Sequence, residues 1–373
     1  MGEQVLVAGA GIAGLAVARA LRGHDVPVVL CERSAESTDR SGLAIVLPGN
    51  AVRAIDRLGL GERLASLGSP TQRREYRSAR DRLMFGVDED AFWGPQARPR
   101  CVRRSDLLDL LADGLDAPVR RPLAIRTTTA QDESVRVEFG EGTTEDFGFV
   151  IGADGIRSAV RSGLPGGAER TQALLSGSNW RFMARNPGVD CWTLWTGPQA
   201  TFLLVPVDQG QVYGYASSVV GGAVADDPDW LQTTFATYPA PVRQVLEELA
   251  GCPDTLYHSL IEEVRSGTWT HGRRVLIGDA AHATAPVWAQ GAAMALEDGQ
   301  VLADLLATQP WDQVGERYQN ARRARVQHVQ DATDRFSRAA ALPAIIRNSL
   351  VRFVGPRSYR STYTPLRTPP AAV

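Results

Sequence analysis

The chain has 373 residues, 40 basic against 42 acidic for a net charge of −2, with 22% charged and 44% hydrophobic residues. That length suits about two domains able to close their own cores, and the composition excludes a disordered chain. No apolar run approaches the roughly 18 residues of a membrane span, and the balanced charge gives no field that would draw the chain to nucleic acid, so a small-molecule partner is expected. Every basic residue is Arg, which removes lysine Schiff-base chemistry and a P-loop lysine. Cys31, Cys101, Cys191 and Cys252 are widely spaced and form no C-x-x-C pair, so neither a metal site nor a disulfide framework is signalled. With a strand pattern at the very start, a reducing, cytoplasmic setting is expected.

In chain order, an apolar strand over Gln4–Ala8 is followed by Gly9-Ala10-Gly11-Ile12-Ala13-Gly14, a helical stretch over Leu15–Arg22 and a second buried strand over Val26–Cys31. A helix runs through Ala51, Ile55 and Leu58, with Asn50 as its expected N-cap and Gly59 as its stop. Residues 71–100 turn Arg-rich and irregular and read as an excursion into a second domain, carrying the pair Phe92-Trp93. A helix from Arg104 to Leu115 and alternating strands near Val135–Phe139 and Asp146–Ile151 return the chain to the first sheet. Residues 180–215 hold Trp180, Phe182, Trp192, Trp195, Phe202, Tyr213 and Tyr215 on short alternating segments, the pattern of an antiparallel sheet. One helical piece is expected near Trp230–Leu249, then a strand over Arg274–Ile277 and a helix from Gly291 to about Ala307. A long Arg-rich helix near Gln313–Ala340 and a Pro-rich tail from Gly355 complete the reading, with no internal repeat.

The glycine run follows a strand, opens a helix and is answered by Glu32 at the end of the next strand, which is the context of a dinucleotide fingerprint. Gly9 allows the tight turn, Gly11 the approach of a pyrophosphate, and Gly14, one residue past Ala13, the packing of helix on strand. The helix N-terminus offers free N–H groups and partial positive charge to phosphates. Glu32 suits an unphosphorylated ribose, as in FAD or NAD. Two further segments narrow the choice: Gly152-Ala153-Asp154-Gly155-Ile156-Arg157-Ser158-Ala159-Val160-Arg161 and Gly278-Asp279-Ala280-Ala281-His282-Ala283-Thr284-Ala285-Pro286.

In this order, and over nearly the whole chain, the three segments resemble the sequence marks of the single-component FAD-dependent aromatic hydroxylases, the family typified by para-hydroxybenzoate hydroxylase. The resemblance implies an α/β fold: a Rossmann-like FAD-binding domain with a parallel sheet (1–71, 102–165 and 266–310), a smaller substrate domain with a mostly antiparallel sheet (72–101 and 166–265), and a C-terminal helical segment (311–373). It implies that Asp279 holds the ribityl hydroxyls of a non-covalent FAD, and that the helix starting at Gly291 and Ala292 aims N–H groups at the N1–C2 edge of the ring. Arg104 is assigned to the flavin or its diphosphate; Arg33, by its place directly after Glu32, is expected at adenine. Asp154 and Arg161 stand near the pyrophosphate and the NADPH or NADH approach, although Asp154 serves equally as a cap of the Ile156–Arg161 turn. His282 reads as a structural hydrogen bonder. The implied reaction is reduction of FAD by NAD(P)H, formation of a flavin C4a-hydroperoxide from dioxygen, and insertion of one oxygen atom into an apolar aromatic or polycyclic molecule by hydroxylation or epoxidation, in secondary metabolism such as antibiotic biosynthesis. No side chain is singled out as catalytic.

The chain departs from the family in the loop that usually reads Gly-Gln-Gly followed by a small residue and often Asn, which here is Ala289-Gln290-Gly291-Ala292-Ala293. Ala289 resists positive φ, and this departure motivates a second reading as a flavin oxidase, dehydrogenase or redox-neutral enzyme; a non-catalytic flavin-binding module is a third. Trp180, Phe202, Tyr213, Pro286 and Trp288 are the expected pocket residues, each with ordinary core packing as the alternative. The arginines 73, 74, 77, 80 and 82 attract nicotinamide phosphates or form a solvated face.

Overall fold

A computed structural model describes residues 4–35, 42–167, 170–172, 178–218, 229–340, 342 and 344–370. Its organising element is a five-stranded parallel sheet in the order Arg274–Leu276, Phe149–Gly152, Val5–Ala8, Val28–Cys31, Val119–Arg120. The three central strands are apolar at almost every position, as a sheet covered on both faces requires. The helices Ile12–Arg22 and Gln290–Thr308 cross against this sheet at Gly299, where a Cβ would lie 2.8 Å from the Val17 nitrogen. The strand expected over Asp146–Ile151 is broken at Gly148: Thr144–Phe147 pairs antiparallel with Val135–Phe139, and Phe149–Gly152 enters the parallel sheet beside Val5–Ala8.

The second large sheet has seven strands in the order Tyr257–His258, Asn179–Arg185, Gln211–Ser218, Ala200–Pro206, Trp192–Thr196, Arg73–Ser78, Leu83–Asp88. Only Trp192–Thr196 and Arg73–Ser78 pair in parallel, so the Arg-rich excursion is a pair of strands in this sheet. Side chains alternate between two faces. Trp180, Phe182, Ala184, Trp195, Phe202 and Leu204 pack under the helices Asp229–Phe235 and Ala240–Ala250, which Pro239 separates where one helix was expected. The opposite face, with Trp192, Val205, Met183, Leu194, Leu203, Tyr213 and Tyr76, meets Ala44, Val46, Cys101 and Ala289. Trp180 and Phe202, expected in the pocket, therefore belong to the helix-covered core: alternation reveals two faces, and the helices that decide which face is dry arrive from elsewhere in the sequence.

Two more expectations are corrected. The helix Gly49–Arg57 starts two residues earlier than a cap at Asn50 requires, with Pro48 at the N-cap position and the Asn50 side chain buried. The Pro-rich tail is helical: Ala344–Tyr363 runs through Gly355 and Pro356 after the helix Trp311–Ala340. Gly355 permits this by lying on Phe85, where a Cβ would come within 2.3 Å of the ring. Tyr359 and Tyr363 then plug into the core beside Trp93. Among the described residues no helix is long and apolar enough to cross a membrane.

Candidate functional site

The site is built at the carboxyl ends of the parallel strands, where open α/β sheets bind ligands. Gly9 turns with φ +98° and its N–H donates to Cys31 O at 2.8 Å. A Cβ at Gly9 would stand 2.5 Å from Ala153 O, and one at Gly14 would stand 1.9 Å from Gly9 O, so both positions exclude any side chain. Gly11 differs: nothing lies within 4 Å of its missing Cβ, which leaves open space over the first turn of Ile12–Arg22, a helix end without a side-chain cap. Glu32 borders this space and accepts from Ala10 N at 2.9 Å and Ser34 N at 2.8 Å. Arg33 is exposed beside it.

The second segment abuts the glycine turn. Asp154 Oδ2 accepts from Ala159 N at 2.7 Å and Val160 N at 3.2 Å, which is the capping arrangement, while its Oδ1 is buried with no hydrogen-bond partner. Burial pushes this carboxyl up from its ordinary pKa against those hydrogen bonds. Arg161 donates to Ala280 O at 2.9 Å and Ile156 O at 2.6 Å, tying the Asp154 segment to the Asp279 segment.

In the third segment Gly278, at φ +57°, packs on Ala13. Residues 274–278 and 280–283 are all buried, yet Asp279 between them is exposed. Its carboxyl is nonetheless raised in pKa by desolvation, with His282 and Arg104 opposing the rise. A group both accessible and poorly solvated lies at the bottom of a cleft. Across that cleft a Cβ on Gly291 would be 3.9 Å from Asp279 Oδ1. Gly291 and Ala292 form the first turn of Gln290–Thr308, whose N-cap is Ala289 at φ +51°, ψ +34°. Arg104 opens the helix Arg104–Ala112, its N–H bonded to Leu43 O at 2.9 Å.

Beneath the cleft lies a polar network that sequence reading missed. Asp298 Oδ2 accepts from Gly278 N at 2.9 Å and meets His282 Nε2 at 2.7 Å; its Oδ1 accepts from Arg322 Nε at 2.7 Å. Glu297 accepts from Arg322, from Arg325 and from Asn50 Nδ2, and Asn50 exchanges amide hydrogen bonds with Gln290. The chain of contacts joins the Asp279 turn to the first residue of the helix that faces it. The adjacent pair Glu297-Asp298, set in the run Met294-Ala295-Leu296 to Val301-Leu302-Ala303 of a largely apolar helix, was the available signal, because buried charges need partners.

Of the expected pocket residues, Pro286 is exposed, and Tyr213 is half-buried on the sheet face that meets Ala289. Trp288 packs edge-on against Phe336 and Tyr363, and its carbonyl accepts from the Tyr363 hydroxyl at 2.7 Å. Tyr76, Met183, Leu194 and Leu203 join Tyr213 without having been singled out, because their strands carry no mark of which face is covered.

Open space above Gly11, an orphaned buried oxygen on Asp154 and a cleft acid at Asp279 make a cradle whose donors and acceptors fit the diphosphate and polyol of FAD. Comparison with known proteins agrees. Residues 3–333 match the family model described as FAD binding domain. The 2-heptyl-3-hydroxy-4(1H)-quinolone synthase of Pseudomonas aeruginosa is 30% identical over 98% of this chain and 97% of its own length. The 3-amino-4-hydroxybenzoate 2-monooxygenase of Streptomyces platensis is 29% identical over 87% and 85%. The crystal structure of Klebsiella pneumoniae HpxO with FAD and uric acid superposes with a TM-score of 0.80 at 25% identity, covering 98% of this chain and 92% of that one. The chain belongs to the FAD-binding family of single-component aromatic hydroxylases, and is an FAD-dependent oxidoreductase.

Proposed function

We propose that the protein is a monooxygenase that uses NADH or NADPH and dioxygen to insert one oxygen atom into an apolar aromatic or polycyclic small molecule, by hydroxylation or epoxidation, in a biosynthetic pathway. Residues 1–71, 102–165 and 266–310 serve as the flavin-holding unit, and 72–101 with 166–265 as the substrate unit. The observation that carries this reading is the half-buried apolar face of the seven-stranded sheet, with Tyr76, Met183, Leu194, Leu203 and Tyr213 turned toward Ala289 at the flavin loop. Such a face receives a planar ring and keeps water from it.

Bound FAD supplies two-electron redox chemistry and the activation of dioxygen. The chain supplies the placement. The open turn at Gly11 and the N-terminus of Ile12–Arg22 take the diphosphate, Glu32 takes the adenosine ribose, and Arg33 lies at the adenine end. Asp279 accepts from the ribityl hydroxyls, and Arg104 balances its charge. The N–H groups of Gly291 and Ala292 face the ring edge where negative charge develops on reduction. The quinolone and aminohydroxybenzoate names of the two relatives support a one- or two-ring aromatic substrate.

Ala289 bears on the rival reading without oxygen insertion. It adopts the left-handed conformation that glycine would supply, so the loop departs from the family in composition and keeps a glycine-like backbone. The deciding experiment supplies the FAD-loaded protein with NAD(P)H, an alkylquinolone or aminohydroxybenzoate, and labelled dioxygen. A product heavier by one labelled oxygen atom is expected; flavin reduction without any labelled product rejects the proposal.

A further inference from the structure

Charge is unevenly distributed along the chain. Residues 335–373 carry seven arginines and no Asp or Glu, whereas residues 1–334 hold the other 33 arginines against all 42 acids. Elsewhere exposed arginines such as Arg73, Arg126 and Arg136 meet a carboxylate, of Asp190, Glu138 and Asp146 respectively. Arg335, Arg338, Arg352, Arg357 and Arg360 are exposed, and none of them forms an ion pair among the described residues.

The described side chains of the helix Ala344–Tyr363 divide into two sides. Gly355, Tyr359 and Tyr363, at i, i+4 and i+8, form the inner one: Gly355 lies on Phe85, Tyr359 bonds Glu89, and Tyr363 bonds the Trp288 carbonyl. Phe353, Arg357 and Arg360, at i, i+4 and i+7, form the outer one. Phe353 is 69% exposed and Val354 beside it 50%, the two highest values among the large apolar side chains described. Leu342, two residues ahead of the helix, is exposed as well. A phenyl ring and its aliphatic neighbour held in water gain free energy on meeting an apolar phase. The inner side leads toward the candidate site: Phe85 stacks on Tyr76 with ring centres 4.1 Å apart, and Tyr76 belongs to the sheet face that meets Ala289. The same helix therefore has the candidate substrate wall behind it and an apolar, cationic stripe in front.

We propose that the outer side of Ala344–Tyr363 docks on an anionic lipid bilayer, with Phe353 and Val354 entering the boundary between headgroups and acyl chains and Arg352, Arg357 and Arg360 meeting lipid phosphates. Charge selects this partner. Apolar side chains flanked by arginines without counter-ions are the chemistry of a helix lying in an anionic interface, and the long arginine stems let the guanidinium groups stay at phosphate level while the ring sits deeper. A second copy of the chain fits poorly, because a two-fold contact sets the same acid-free arginines against one another. Where the monooxygenase reading holds, docking brings the substrate wall to within one helix of the phase in which an apolar ring compound accumulates; the docking itself does not depend on that reading.

The FAD-loaded protein, without substrate or NAD(P)H, is sedimented with vesicles of phosphatidylcholine alone and with vesicles of equal parts phosphatidylcholine and phosphatidylglycerol. The wild type binds the anionic vesicles tighter by about tenfold or more, and high salt reduces that preference. Phe353→Ser weakens binding to the anionic vesicles by about tenfold or more. Joint replacement by Arg352→Gln, Arg357→Gln and Arg360→Gln lowers the anionic preference to about twofold or less. The affinity for FAD stays within about twofold of wild type in both variants, because the four side chains are exposed. A wild type that stays in solution with both kinds of vesicle, or binds both alike, overturns the inference, and this comparison needs no variant to fold. An anionic preference that survives both variants overturns it as well. So does binding to polyglutamate but to no vesicle, which assigns the stripe to an acidic protein, or a dimer abolished by Phe353→Ser without vesicle binding, which assigns it to a second copy. The labelled-dioxygen assay reports separately: docking without labelled product refutes the monooxygenase reading and leaves the docking face standing, and labelled product from a protein that ignores anionic vesicles does the reverse.

Discussion

Ala289 holds a conformation that costs an L-residue roughly 1–2 kcal/mol, and it holds it at the N-cap of the helix that faces the cleft. Replacing it with glycine removes that strain and adds back about 0.4–1 kcal/mol of chain entropy in the unfolded state. Ala289→Gly is therefore expected to raise stability by about 0.5–1 kcal/mol, read as a higher urea midpoint at unchanged slope. Asp279 works in the opposite sense. Its folded-state pKa is raised by desolvation, so its ionisation disfavours the flavin-free fold; the stabilising contribution exists while the group is protonated and is lost as pH rises through the raised value. Asp279→Asn should melt higher than wild type near pH 7 in the absence of FAD, lose that advantage below the ordinary carboxylate pKa, and bind FAD more weakly; thermal melts across pH with and without FAD check all three. The strand–turn–helix around the glycines at 9, 11 and 14 was legible because it depends on short spacing within one local unit. The facing of Trp180 and Phe202 was not, since a strand's alternation is symmetric until a distant segment covers one side.

Among elements, the helix Gln290–Thr308 does most to position the cleft. Its Glu297 and Asp298 are buried with Arg322, and Asp298 is held well below the usual carboxylate range by His282 and Arg322 in spite of burial. A carboxyl lowered in this way contributes stability at all pH above its ordinary value, and loses it only in strong acid. Arg322→Met leaves two buried carboxylates short of a partner and should cost about 3–5 kcal/mol. It should also weaken FAD binding about tenfold, because Asp298 fixes Gly278 and Glu297 fixes Asn50 against Gln290. Arg274→Met is the control. That buried arginine serves Thr128 O and Gly163 O at the opposite ends of the strands, so it should lower stability without a matching loss of FAD affinity in a fluorescence titration. This network left only a faint trace in the sequence, since Arg322 and Arg325 sit among many arginines and nothing local distinguishes the buried ones. The C-terminal helix left a misleading one: Gly355-Pro356 ends helices on local grounds, and it is tertiary contact, of Gly355 with Phe85 and of Tyr359 and Tyr363 with the core, that accompanies its continuation.

At the scale of the whole molecule, the C-terminal helix ties the seven-stranded sheet to the 286–290 loop. Gly355 lies on Phe85, Tyr359 bonds Glu89 and Trp93, and Tyr363 bonds the Trp288 carbonyl. Ending the chain after residue 343 should lower the melting temperature and, under the proposed reaction, divert more NAD(P)H to hydrogen peroxide, measured as peroxide formed per nicotinamide oxidised, because the loop loses its support and the cavity admits water. The interleaving of the two sheets has a different consequence. Val5–Ala8 pairs at once with Val28–Cys31, but its other neighbour, Phe149–Gly152, acquires its own outer partner only at Arg274–Leu276. A nascent polypeptide leaving the ribosome must therefore keep an unfinished sheet, with a hydrogen-bonding edge bare, until Arg274–Leu276 has been made. Folding should be slow, dominated by contacts remote in sequence, and vulnerable to aggregation during synthesis, so a chaperone that shields exposed strand edges should raise the yield of native protein.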